Sequence, residues 1–216
     1  YSQCDIEISD LSGASNASDK PWLTRNLNAM RFAGQFAGAT AGLKIAAAIT
    51  DLPSTGGTVD ARGLEGAQTV ATDVFTAVTK NVTVIFGAGT WTFSANTTVP
   101  ASVAFSVHRG TLLSPATGTT LTLNGDLSAG RYQVFTNALV GQGTVAFGTA
   151  MPREVDPIWW GASYDNTADD AEELQAAINA AGSTAPVLRS WNTVSITGRM
   201  AIGSVILISH KSVILD

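Results

Sequence analysis

A single cysteine, Cys4, stands in the 216 residues, so no intrachain disulfide can form and no multi-cysteine metal site can be built. Near the N-terminus, Cys4 is left as a spare thiol or an intermolecular link. Charge is scarce too. Only 13% of residues are charged, against ~25% in an ordinary soluble domain. Twelve basic and seventeen acidic side chains leave a net charge of −5, and the basic ones are scattered singly. Phosphate backbones are bound by clustered Lys and Arg, so nucleic acid is not expected as a partner. No apolar run approaches the ~20 residues of a membrane-spanning helix, and membrane insertion is not expected. There is no Gly-x-Ser-x-Gly elbow to expose a serine nucleophile. The chain opens at Tyr1, with neither an initiator methionine nor a signal peptide. A processed start, or a boundary set by expression, is the expectation.

Threonine, serine, alanine and glycine fill the space that charge leaves. A surface of hydroxyls in place of Lys and Glu is common in secreted and virion proteins, so an extracellular, cell-surface or virion location is expected. Residues 1–35 read as an arm and linker. "CDIEISDLSG" alternates Ile6 and Ile8 with acids, a half-buried strand pattern. Such an arm is a loose tail or a strand that adds to a neighbour's sheet edge, which makes Cys4, Ile6 and Ile8 the assembly candidates.

From Gly42 the patterning sharpens. Ile45, Ile49 and Leu52 recur at i, i+4 and i+7, a narrow helical face closed by Pro53. Short β-rich runs follow: "GGTVDARG", "NVTVIFGAGTWTF", "TTVPASVAFSV", "TLTLNG", "YQVF" and "GTVAFG". Gly, Pro, Asn and Ser separate them, as in a sandwich, a barrel or a solenoid. A second helix is predicted after Thr167, with Ala171, Leu174, Ile178 and Ala181 on one stripe and Gly182 at its end. When Thr90 is set on Thr193, Trp91 meets Val194, Phe93 meets Ile196 and Val99 meets Ile202. One unit used twice, a helix and then a ladder of strands, favours a solenoid, whose open first coil needs a cap. The expected fold is therefore mainly β: a right-handed parallel β-helix with short amphipathic capping helices. Its first capped unit spans residues 36–150 and a second begins at 151–216. "KSVILD" stops inside a strand-like run, so a longer native chain or a covered, open-ended last coil is expected.

Both units resemble the opening of the pectate-lyase-like right-handed parallel β-helix superfamily, shared by bacterial secreted proteins and phage tail spikes. That opening runs as an aromatic-Gly-Ala, a Gly-Asp-Gly-x-x-Asp-Asp turn, a helix, a Gly-rich turn and "PAGTY". Here it becomes "WWGASYDNTADDAEELQAAINAAG" and "SWNTVSITG", with an earlier partial copy in "GLKIAAAITDLPSTGGTVDARG" and "FGAGTWTF". Both glycines of the turn are replaced in "SYDNTADD" while the Asp pair remains. The resemblance implies the fold over roughly residues 36–216. It implies no single function, since the superfamily hosts lyases, hydrolases and adhesion modules.

Several residues invite a chemical reading. Asp169 and Asp170 could serve acid–base chemistry or Ca²⁺, but "TADD" fits a helix N-terminal cap. Adjacent helical residues also diverge by about 100°, so the structural reading is preferred. Trp159 and Trp160 could stack on sugars, and packing at the joint between units is preferred. Trp91 is expected in the core. Trp22 and Trp191, in irregular stretches, are the glycan-stacking candidates. His108 and His210 end strands without a convergent partner and are read as turn residues. Asp60 and Arg62 in "VDARG" are the best acid–base pairing, two apart on one strand face, although a surface ion pair is preferred. Asn16, Asn81 and Asn96 begin sequons of little weight. The leading expectation is a non-catalytic tail-spike or adhesin module, homo-oligomeric as a trimer or fibre, that presents a surface to a polysaccharide or host glycan. A self-assembling fibre subunit is one alternative. The other is the N-terminal part of a polysaccharide lyase or hydrolase. No cofactor is expected, and Ca²⁺ enters only with the lyase.

Overall fold

A computed structural model of the chain describes residues 29–136, 143–148, 154–165, 168–181 and 187–188. Its strands are short because apolar and hydroxyl residues alternate for only a few positions before a Gly, Pro or Asn turns the chain. In β4 (Val82–Ile85) the inward residues are Val82 and Val84, and in β7 (Val103–Ser106) they are Val103 and Phe105. Such segments bury one face and leave the other to the solvent.

The strands form three parallel sheets, and the chain visits each in turn. One sheet has the order β1-β2-β4-β7-β10, with β1 at Met30–Phe32, β2 at Gly57–Asp60 and β10 at Leu127–Ser128. The next joins β3 (Gln68–Val70), β5 (Gly89–Phe93) and β8 (Thr111–Pro115), and a bridge from Leu113 to Phe135 extends it. The last joins β6 (Thr97–Val99), β9 (Thr120–Leu123) and β11 (Thr144–Phe147). A separate parallel pair links β12 (Glu154–Val155) to β13 (Val187–Leu188). Each circuit takes between about twenty and thirty residues: Met30 pairs with Thr58, Gly57 with Val82 and Val82 with Val103. The protein is a parallel β-solenoid of about four turns.

Register decides what fills the interior. Val59, Val84 and Phe105 stack in one sheet, Trp91, Leu113 and Phe135 in the next, and Val99 and Leu123 in the last. Phe105 meets Phe75 and Phe86 edge to face at 5.2 and 4.7 Å, and Phe86 meets Trp91 at 4.9 Å. These pairings suit the aromatic quadrupole. The outward rows are hydroxyls: Thr69, Thr92, Ser114 and Thr136 on one sheet, and Thr98 with Thr122 and Thr120 with Thr144 on another. Thr136 Oγ1 lies 3.2 Å from Ser114 Oγ. Threonine satisfies a strand through its β-branch and the solvent through its hydroxyl, which is how this surface manages with so little charge.

Helix α1 (Ala41–Asp51) lies over the first coil, against β1, β2 and β3, with Ile45, Ile49 and the following Leu52 buried as their spacing predicts. Thr40 Oγ1 caps its start by accepting from Leu43 N at 3.3 Å. At its other end Lys80 Nζ donates to the carbonyls of Ile49, Thr50 and Leu52 at 3.1, 2.9 and 2.5 Å. Helix α2 (Ala171–Ala181) packs on β11 and on the 3₁₀ turn Pro157–Trp160. Its buried face is wider than the predicted stripe. Ala176, Ala177 and Ala180 join Ala171, Leu174 and Ala181, while Ile178 is half-buried, because alanines let the helix approach closely.

Several of the predicted strand runs are divided differently in the structure. "NVTVIFGAGTWTF" turns a corner between β4 and β5, "TTVPASVAFSV" turns between β6 and β7, and "YQVF" supplies only the Phe135 bridge. The second copy at Thr193, Val194, Ile196 and Ile202 lies outside the described residues.

Candidate functional site

Asp60 closes β2, and the chain then turns the corner from the first sheet to the second. Arg62 sits on that turn, so the two residues meet around a corner rather than along one strand face. Asp60 Oδ1 accepts from the Arg62 backbone N at 2.9 Å and from Nε at 3.0 Å. Oδ2 accepts from Nη2 at 2.7 Å and from Nε at 3.2 Å. The carboxylate side chain is 4% exposed and the arginine 55%. The Arg62 bonds hold the Asp60 carboxyl below the usual carboxylate range against the opposing effect of burial, and nearby His108 adds to the lowering. The same bonds raise Arg62 above its ordinary value. A base needs a free lone pair and a pKa near the working pH. Asp60 has neither, and Arg62 holds its proton more firmly. The pair clamps a corner.

The next coil places Gly87 against Arg62. A Cβ on Gly87 would lie 2.9 Å from the Arg62 Cα, so the close stacking requires glycine. The Gly87 carbonyl accepts from Trp91 Nε1 at 3.0 Å and from Thr111 Oγ1 at 2.7 Å, which fixes the corner from inside. Trp91 is in the core, as its strand pattern predicts. His108 and Arg109 occupy the same corner one coil further on, both exposed. The Arg109 guanidinium lies 5.3 Å from the Tyr132 ring centroid, a cation–π distance. Tyr132 Oη donates to the Val107 carbonyl at 2.6 Å, and its ring leaves Gly130 no room for a Cβ. Arg131 then donates from Nε to Asp156 Oδ2 at 3.3 Å. Asp156 Oδ1 also accepts from Ile158 N at 3.1 Å and from Tyr164 Oη. Burial first, and then the bond to Asp156, push the Tyr164 phenol far above its usual range.

This corner row of Arg62, His108, Arg109 and Arg131 is the feature that sequence reasoning missed. Its members are far apart in the chain and look scattered. The available signal was an arginine beside a glycine at three of the four corners: Arg62–Gly63, Arg109–Gly110 and Gly130–Arg131.

The Asp pair serves the frame. Asp169 Oδ1 accepts from Ala171 N at 3.1 Å, at the start of α2. The buried Asp170 turns the other way and accepts from Ser163 N and Oγ at 2.8 and 3.2 Å. Trp159 and Trp160 are buried: Trp159 Nε1 donates to the Gly130 carbonyl at 3.1 Å, and Trp160 packs 4.9 Å from Phe135. Glu173 is half-buried, and burial raises its carboxyl. Asp73 ties a loop by accepting from Phe75 N, Thr76 N and Thr98 N. Asn96 Oδ1 accepts from Thr120 N at 2.9 Å across neighbouring coils. Among the described residues no three His, Cys, Asp or Glu are grouped to hold a metal, and no helix is long and apolar enough to cross a membrane. Trp22, Trp191, Cys4, Ile6, Ile8 and His210 lie outside the described residues. No protein-family model, curated protein or solved structure matches the chain.

Proposed function

We propose that this chain is a non-catalytic, glycan-binding β-helix module of tail-spike or adhesin type, displayed outside the cell or on a virion. The observation that carries the reading is the division of labour among its polar groups. Asp60, Asp73, Asp156 and Asp170 all accept framework hydrogen bonds, while the outward faces carry rows of hydroxyls on a rigid ladder. That arrangement suits a surface that recognises sugar hydroxyls better than one that moves protons. Tyr164 supports the finer resemblance to the right-handed, pectate-lyase-like opening. Its φ of 52° is left-handed, and it stands where the superfamily's turn has its first glycine. Trp22 and Trp191 remain the proposed stacking residues.

A glycan array probed with the purified chain, followed by assays for new reducing and unsaturated ends, tests the reading. Binding without products is expected, weakened by Trp22→Ala or Trp191→Ala. Turnover would overturn it in favour of a hydrolase, or of a lyase if a calcium chelator abolished it. A second reading, a fibre subunit assembled by strand addition, is favoured by one observation. Phe32 and Leu43, 46% and 44% exposed, lie at the first-coil end, where β1 is outermost among the described strands of its sheet. Native mass spectrometry separates the two: a discrete trimer supports the module, and an open-ended series that deletion of residues 1–13 abolishes supports the fibre.

A further inference from the structure

Six Lys and Arg side chains lie among the described residues, and three of them share one corner of the solenoid. Arg31 and Lys80 are committed elsewhere, to Asp51 and to the end of α1, and Lys44 is on α1 itself. Arg62, Arg109 and Arg131 follow one another along the turns that lead from the first sheet to the second, with His108 between them. From the guanidinium row of this corner we infer a binding site for an acidic glycan, one that carries carboxylate or sulfate groups along its chain. The inference rests on the glycan-binding reading above and names its ligand class.

Arg62 and Arg131 are paired with the buried Asp60 and Asp156, so Arg109 carries the uncancelled charge of the row and its neighbours add exposed N–H donors. Asp60 and Asp156 are buried, while the side chains of Arg62 and Arg131 are 55% and 52% exposed. Glu65 is the one exposed acid on these turns. Arg109 has no carboxylate partner among the described residues. Its guanidinium rests on Tyr132, which is itself fixed by Val107 and Gly130. A planar fork held in place and lacking an anion is prepared for bidentate contact with a carboxylate or sulfate, at little ordering cost. Spacing fits as well. Neighbouring strands lie about 4.8 Å apart, so Arg62, Arg109 and Arg131, on the first, third and fourth coils, mark a line of about 15 Å. One pyranose advances a polysaccharide by about the thickness of one coil. A sugar chain laid along this corner therefore meets a guanidinium every one or two residues. One uncancelled guanidinium flanked by two paired ones, on a chain of net charge −5, suits sparse charge better than the dense phosphates of nucleic acid.

Affinity electrophoresis in gels containing alginate, dextran sulfate, neutral dextran or single-stranded DNA tests the site, with the wild type beside Arg109→Gln and Arg109→Lys. A thermal melt establishes that each variant folds. Alginate or dextran sulfate should retard the wild type more than dextran or DNA does, and added salt should weaken the effect. Arg109→Gln should lose about tenfold in affinity, and Arg109→Lys, which keeps the charge without the fork, should lose less. Equal retardation by dextran, or no change in Arg109→Gln, overturns the acidic-glycan site and leaves the glycan-module reading standing. Retardation by none of the polysaccharides removes both. Retardation by DNA as strong as by alginate replaces the site with a general polyanion surface.

Discussion

Replacing Phe105 by alanine empties the centre of the solenoid. The ring is wholly buried and touches Phe75 and Phe86, which arrive from different coils. Phe→Ala in a core costs about 3–5 kcal/mol, the spread reflecting how far the site can collapse. Here collapse is resisted on both sides, because β4, β7 and β10 hold their spacing through parallel ladders at Val84, Phe105 and Leu127. A loss of about 4 kcal/mol is expected. The edge-to-face geometry should add a coupling of about 0.5–1.5 kcal/mol between Phe105→Ala and Phe86→Leu in a double-mutant cycle. Urea unfolding reads both numbers, provided the slope with denaturant stays constant across variants. Phe32→Ala is the control: this phenylalanine is exposed, and its loss should cost little. If Phe105→Ala cost no more than Phe32→Ala, the ring would not be interior and the stacking of coils would be wrong.

Other perturbations probe the corners and the cap. Gly125→Ala places a Cβ 1.8 Å from the Val103 carbonyl oxygen on the preceding coil. It should cost about 3 kcal/mol or more, while Gly63→Ala, with open space around it, should leave the urea midpoint nearly unchanged. Asp60→Asn removes a carboxylate whose pKa is lowered in the folded state. Wild-type stability should exceed that of the variant fully above the unfolded value of about 4. The difference should shrink as pH falls toward the folded-state pKa, and a gap that widened in acid would refute the assignment. Lys80→Met frees three carbonyls at the end of α1. It should cost about 1 kcal/mol, read as a lower urea midpoint.

Local features were legible in the sequence wherever local physics decided them. The spacing of Ile45, Ile49 and Leu52 set the face of α1, and alternation set the inward residues of β4 and β7. The coil period was not visible. The inward ladder accepts Val, Phe, Trp and Leu in turn, and coil lengths vary with their corners, so no residue type recurs at a fixed distance. Only the corner phrases "DARG", "FGAG" and "VHRG" carry the period. The apolar spacing favours the large Ile178 over Ala176, Ala177 and Ala180, whereas close helix packing buries the small residues. Asp60 and Arg62 were legible as a pair because they are neighbours in sequence. Their partners along the corner, Arg109 and Arg131, become neighbours only when the coils stack.

Recognition without chemistry is tested by one incubation read twice. The purified chain is mixed with the polysaccharide that it retains most strongly, and both the bound fraction and the reducing and unsaturated ends are measured over time. Saturable binding is expected, with the ends constant at the level of the polysaccharide alone. A steady rise in either kind of end would contradict it and return Asp60 and Arg62 to consideration as catalytic groups.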